Sequence, residues 1–148
     1  MFRGCYEHSV DEKGRTSLPR RFREELLRSF SDDRLVVTRS LEPCLMAYPM
    51  SEWEAFERRL AEKGQFNRAV VQLKRAVVAS AVECKVDSHG RILVPPPLRA
   101  YADIGREVVW AGMTQNIEIW SKDRWDDAER IAREDPAALS ESLAELGL

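Results

Sequence analysis

The chain is expected to fold as an α+β protein in which two copies of one small module pair about a pseudo-two-fold axis and share a β-barrel, with helices at the flanks. Three observations in its 148 residues predict this. The sequence matches itself at a nearly constant offset. Each copy places an Asp-x-x-Gly turn between short apolar runs, and each closes on a helical pattern.

The match is direct. Tyr6 to Arg23 reads YEHSVDEKGRTSLPRRFR, and Val82 to Arg99 reads VECKVDSHGRILVPPPLR. At an offset of 76, Glu7 meets Glu83, Val10-Asp11 meets Val86-Asp87, Gly14-Arg15 meets Gly90-Arg91, Pro19 meets Pro95 and Arg23 meets Arg99. Four residues of length difference follow, and the match resumes at an offset of 72. There Arg34 meets Arg106, Val36-Val37 meets Val108-Val109, Trp53 meets Trp125 and Glu57-Arg58 meets Glu129-Arg130. One copy, about 50 residues, buries too little apolar surface to stand alone. Two copies in one chain share a core and hold their turns in equivalent positions.

Within each copy the elements follow in order. A short alternating strand ends at Val-Asp, and Asp-x-x-Gly makes a tight turn: the carboxylate caps nearby backbone N–H groups, and glycine accepts a positive φ. The return strands RTSL and RILV run into Pro19 and Pro95, which end a ladder and open a helix. RRFREELLRSF and PLRAYADI are therefore helical, the second shorter. The runs RLVVTRS and REVVWAG, then LMAYP and IEIW, are strands. SEWEAFERRLAEKG is a helix with Ser51 as N-cap, and SKDRWDDAERIARE one capped by Ser121 or Asp123. Phe66, Val70, Leu73 and Val77 mark a linking helix over Gln65 to Ala81. Asp135-Pro136 opens a last short helix whose Leu139, Leu143 and Leu146 line one side, a stripe that packs on the body or on a neighbouring subunit. The division is repeat 1 over residues 5–50, connecting helices over 51–80, repeat 2 over 81–124 and C-terminal helices over 125–148.

Composition narrows the function. With 44% hydrophobic and 32% charged residues the chain is globular rather than disordered. The opening MFRGCYEHSV is not a secretory signal, and the least polar stretch, Ala76 to Val82, falls far short of the roughly 18 residues that span a bilayer. Cys5, Cys44 and Cys84 are odd in number and widely spaced, which fits a reducing cytoplasm rather than a disulfide framework. Net charge is −2, against the usual basic footprint of a nucleic-acid binder. The distribution is uneven, however. Residues 1–23 carry six Lys/Arg against three Asp/Glu, residues 65–99 six against two, and residues 123–148 three against eight. An acidic tail hides two basic segments from the average.

With Met1-Phe2-Arg3-Gly4 at the start, Asp11-Glu12-Lys13-Gly14-Arg15 and Pro19 in the first copy, and Asp87-Ser88-His89-Gly90-Arg91-Ile92-Leu93-Val94-Pro95 in the second, the chain resembles the MraZ family of the SpoVT-AbrB superfamily, over about residues 1 to 134. The resemblance implies a double-split β-barrel of swapped hairpins, the two halves doing what two AbrB-type chains do as a dimer. It also implies a sequence-specific, nucleoid-associated transcriptional regulator in the cytoplasm. Such a protein binds double-stranded DNA at direct repeats upstream of the division and cell-wall gene cluster, as a ring-shaped homo-oligomer, with no membrane and no small-molecule substrate.

Candidate residues follow from the turns. Arg15 and Arg91 come directly after them, each within reach of its turn aspartate, Asp11 or Asp87. Either each pair only staples its turn, or the aspartate orients a guanidinium whose planar fork meets guanine O6 and N7 or a phosphate. The resemblance favours the second role, with Gly14 and Gly90 shaping the turns. Lys13 and Arg20 add phosphate attraction to the first copy, which is the more basic, and Arg3 joins them if the N-terminus lies beside the first turn. Arg20, Arg21 and Arg23 otherwise read as a solvated face paired with Glu24 and Glu25. His8, His89 and the cysteines lack metal-ligand spacing, Trp53 and Trp125 read as core anchors, and no cofactor motif or catalytic constellation is present, so no enzyme is expected. The rival readings are a partner-neutralising module of the AbrB antitoxin type, and an acid–base enzyme built on Asp11 or Asp87.

Overall fold

A computed structural model describes residues 1–148. In chain order the elements are β1 (Cys5–Ser9), β2 (Arg15–Ser17), α1 (Arg20–Glu25, running on as a π-helical turn over Leu26–Phe30), β3 (Arg34–Arg39), β4 (Leu45–Pro49), α2 (Met50–Ala61), α3 (Arg68–Leu73, running on through Lys74–Val78), β5 (Val82–Lys85), β6 (Arg91–Leu93), α4 (Pro96–Tyr101), β7 (Glu107–Gly112), β8 (Ile117–Ser121), α5 (Lys122–Glu134) and α6 (Pro136–Glu145). The fold is α+β, with two repeats and six helices around a six-stranded antiparallel sheet.

The two copies are interleaved strand by strand. The large sheet runs β1-β7-β8-β4-β3-β5, and β2 pairs with β6 in a separate ribbon. Thus β1 and β2 of the first copy pair with β7 and β6 of the second, and β5 of the second pairs with β3 of the first. At the centre β4 meets β8 with Met46 opposite Glu118, two residues related by the offset of 72. In the ribbon Thr16 lies opposite Ile92, related by the offset of 76. The pseudo-two-fold axis therefore passes through both pairs.

The shared barrel expected from the repeat is not closed. The large sheet is open, with β1 and β5 at its edges. The reason lies at the turns: after a single Val10–Thr16 bridge, β2 leaves β1 and spends its hydrogen bonds on β6 instead.

Alternation along the strands explains the two layers. Leu35 and Val37, Leu45 and Ala47, Val108 and Trp110, Ile117 and Ile119 point into one core with Phe2, Phe22, Leu26, Ile92, Val94 and Leu98. On the opposite face Val36, Trp53 and Val77 form one small cluster under α2 and α3, and Cys44, Val109 and Trp120 a second under α5. Helices cover both faces, so the strands read as nearly continuous apolar runs.

Helix starts differ from the sequence reading in two places. Pro49, fixed at φ −55°, stands at the N-cap of α2 two residues ahead of Ser51, and Ser51 caps nothing. Asn67 accepts hydrogen bonds from the N–H groups of Ala69 and Val70, so α3 starts after Phe66, which is 88% exposed. Ser121 caps α5 and Asp135 caps α6. The α6 stripe is not buried against the body: no residue of that helix is buried, Leu139 and Leu146 are exposed, and only Leu143 is half-buried.

Candidate nucleic-acid interface

The two turns are built alike. In the first, Asp11 Oδ1 accepts from the backbone N–H of Lys13 (3.0 Å) and Arg15 (2.9 Å), and Asp11 Oδ2 accepts from Arg15 Nε (2.7 Å). The Gly14 N–H closes the turn on the Asp11 carbonyl at 3.0 Å. In the second, Asp87 Oδ1 accepts from the N–H of His89 (2.8 Å) and Arg91 (3.0 Å), and Oδ2 from Arg91 Nε (3.0 Å). Each aspartate titrates below the ordinary carboxylate range, chiefly because the backbone N–H of the arginine four residues on stabilises the charged form. Gly14 and Gly90 take φ +88° and +78°, where side chains other than glycine's are strained.

Each turn is also covered by the other copy. A Cβ placed on Gly14 would lie 2.6 Å from the Arg99 guanidinium, and one on Gly90 would lie 2.6 Å from that of Arg23. Arg99 Nε is itself held by the Val94 carbonyl at 2.9 Å. The matched arginines that end the two motifs thus pack crosswise over the turns. Only the repeat, and not local sequence, hinted at this.

Beyond the turns the ribbon presents one outward face. The Val94 N–H donates to the Gly14 carbonyl and the Leu18 N–H to the Gly90 carbonyl, at 3.0 and 2.9 Å. Between these bonds, Arg15 faces Leu93 and Ser17 faces Arg91 as non-hydrogen-bonded pairs, with Cα atoms about 4.5 Å apart. Thr16 and Ile92 point inward, 1% and 0% exposed, while Ser17 and Leu93 are open to solvent. Arg15 and Arg91 therefore share a face on diagonal positions, their side chains 34% and 28% exposed. With Nε committed to the turn aspartate, the terminal guanidinium nitrogens of both have no partner within the chain. Two tethers steady the ribbon from behind: His8 Nδ1 contacts the Ser17 carbonyl and Cys84 Sγ the Leu93 carbonyl, at 2.5 and 3.6 Å. His8 and Cys84 are themselves equivalent at the offset of 76, as are Ser17 and Leu93. Alternation within RTS and RIL sets Ser17 and Leu93 on the same face as Arg15 and Arg91, but does not say that this face is the outward one.

The other candidates sit apart from this face to different degrees. Lys13 is exposed at the first turn and makes no side-chain ion pair. Arg20 opens α1, and its Nε donates to Glu24 at 2.8 Å. Arg3 does not lie beside the first turn: the five residues of β1 stand between them, roughly 17 Å of extended chain. Instead Arg3 borders a groove with Arg21, Glu24 and Arg28. Glu25 does not pair with the α1 arginines; it is buried and binds the Met1 ammonium, Arg28 and Ser29, which together lower its pKa to about 2. No three His, Cys, Asp or Glu side chains converge as metal ligands would. Trp53 is buried, and Trp125 lies edge-on to Trp120 at 6.0 Å. No helix is long and apolar enough to cross a membrane.

Comparison with known proteins gives a consistent result. The family model described as "MraZ protein, putative antitoxin-like" matches twice, over residues 1–76 and 77–145. A protein of Geobacter metallireducens named Transcriptional regulator MraZ is 42% identical over the full length of both chains. Proteins of the same name from Geotalea daltonii and Pediococcus pentosaceus are 44% and 40% identical, again over the whole of both chains.

Proposed function

Because this chain belongs to the MraZ family, we propose that it is a DNA-binding transcriptional regulator that meets the duplex with the outward face of the β2–β6 ribbon. The observation that carries this is the pair of arginines on that face, each fixed through Nε by its own turn and each with free terminal nitrogens. A two-stranded ribbon fits the major groove, and a guanidinium so held loses little freedom on binding guanine or phosphate. Asp11, Gly14, Asp87 and Gly90 orient Arg15 and Arg91. Lys13 and Arg20 supply phosphate contacts on the more basic side, while Arg3, at the far end of β1, adds only to the longer-range field.

The finer reading follows the same resemblance. The swapped pairing of β1, β2, β5 and β6 supports a double-split barrel whose two motifs occupy residues 5–50 and 81–124. The ribbon gives one chain a small contact, and a ring of chains on direct repeats upstream of the division and cell-wall genes multiplies it through effective concentration. Ile131, Leu139 and Leu146, exposed on α5 and beyond, support contacts between neighbouring chains. The protein works in the cytoplasm on the nucleoid, and no reaction is assigned to it.

A mobility-shift titration with the DNA upstream of its own gene tests this. Retardation that resists random duplex competitor and weakens with salt, by a log–log slope of about −0.9 per neutralised phosphate, supports the reading. Retardation no stronger than that of random duplex overturns it. The antitoxin-like wording of the family description favours a second reading, a module that neutralises a partner protein; a stoichiometric toxic partner that copurifies and is inactivated would replace the first.

A further inference from the structure

Resting on that reading, we propose that Leu93 is a specificity-determining residue that packs against the 5-methyl group of a thymine in the bound site. The ribbon face carries four outward side chains, and only three can interact with DNA through charge or hydrogen bonds: Arg15, Arg91 and Ser17. The fourth is an apolar side chain left 53% exposed beside the positions of the two arginines. Leu93 faces Arg15 directly across the ribbon and sits two residues from Arg91, so it enters any groove that the two arginines enter. Its backbone is fixed on both sides: Cys84 Sγ contacts its carbonyl, and the Val94 N–H binds the Gly14 carbonyl.

Among the groups on base-pair edges in the major groove, the thymine methyl is the one that rewards an apolar contact; the others are hydrogen-bond donors and acceptors that Leu93 would desolvate without pairing. At a position flanked by arginines, the residue therefore selects thymine and disfavours cytosine, whose amino group would be left unpaired. Ser17, the counterpart of Leu93 in the first copy, presents a hydroxyl instead. The two halves of the face are thus chemically unlike, and one methyl contact is expected per chain.

The test begins with selection of bound sequences from a randomised duplex pool by the wild-type protein. Each thymine of the preferred site is then replaced by deoxyuridine, which lacks only the methyl group. At one thymine the replacement weakens wild-type binding by about three- to five-fold, the size expected for one buried methyl. Leu93→Ala binds the thymine and deoxyuridine duplexes equally with an unchanged salt slope, and Leu93→Met restores the difference. The assignment is overturned if no thymine shows a methyl effect, or if Leu93→Ala keeps it. Failure of the underlying reading is visible separately: Arg15→Ala that binds as tightly as wild type removes the ribbon from the interface altogether, whereas lost binding there with an unchanged methyl effect in Leu93→Ala discards only the role of Leu93.

Discussion

Asp11 and Asp87 each accept three hydrogen bonds from their own turn, two from backbone and one from an arginine side chain. The carboxylate is the form that these bonds stabilise, so both groups titrate below their unfolded value of about 3.9. A depressed folded value means that the contribution is present above that pH and is lost as pH falls through the lowered value. Asp11→Ala is therefore expected to lower the urea midpoint at neutral pH and to show a shallower fall below about pH 4 than wild type. Identical acid profiles would contradict this account of the turn. The turn itself was legible, because Asp-x-x-Gly states its own chemistry. Leu93 was not, since exposure of one leucine in a strand of three depends on which side of the ribbon the core lies.

At the scale of the element, the ribbon explains why so short a pair of strands persists. Thr16 and Ile92 anchor it to the core. Thr16 occupies the place that isoleucine fills in the other copy, and its buried hydroxyl has no hydrogen-bond partner. Thr16→Val keeps the shape and removes the unpaired group, so it is expected to stabilise the protein by about 1 kcal/mol, read as a raised urea midpoint, with DNA affinity unchanged. A lowered midpoint would mean that the hydroxyl has a partner in solution. Strand positions were largely readable because alternation and turn residues agree. Helix starts were less so: Pro49 and Asn67 each moved one, since the proline fixes a helical entry and the asparagine caps more strongly than the apolar stripe extends. The fate of the α6 leucines was not readable at all, because a stripe specifies burial but not the surface that provides it.

In the whole molecule, neither copy is complete. Residues 1–76 contain β3 without β5, and β1 without β7; residues 77–148 have the converse gaps. Each half alone would expose unpaired strand edges and half a core. Separately expressed halves are expected to be unfolded or self-associated, and mixing them is expected to yield a one-to-one complex with the circular dichroism of the intact chain. Two independently folded monomeric halves would contradict the interleaving. The repeat was legible from identities alone, and with it the equivalence of the two turns. The open sheet was not, because the pattern of apolar residues does not say whether β2 continues pairing with β1 or leaves it for β6.

The claim on which the rest depends is that this ribbon carries the contact with duplex DNA. The direct measurement is a fluorescence-anisotropy titration of the upstream duplex at fixed salt with wild type, Arg15→Ala, Arg91→Ala and, as a control on α5, Arg130→Ala. The account predicts that each turn variant weakens binding by about ten-fold or more, with assembly state and circular dichroism unchanged, while Arg130→Ala binds as wild type does. Turn variants that bind like wild type, in an intact fold, would contradict it.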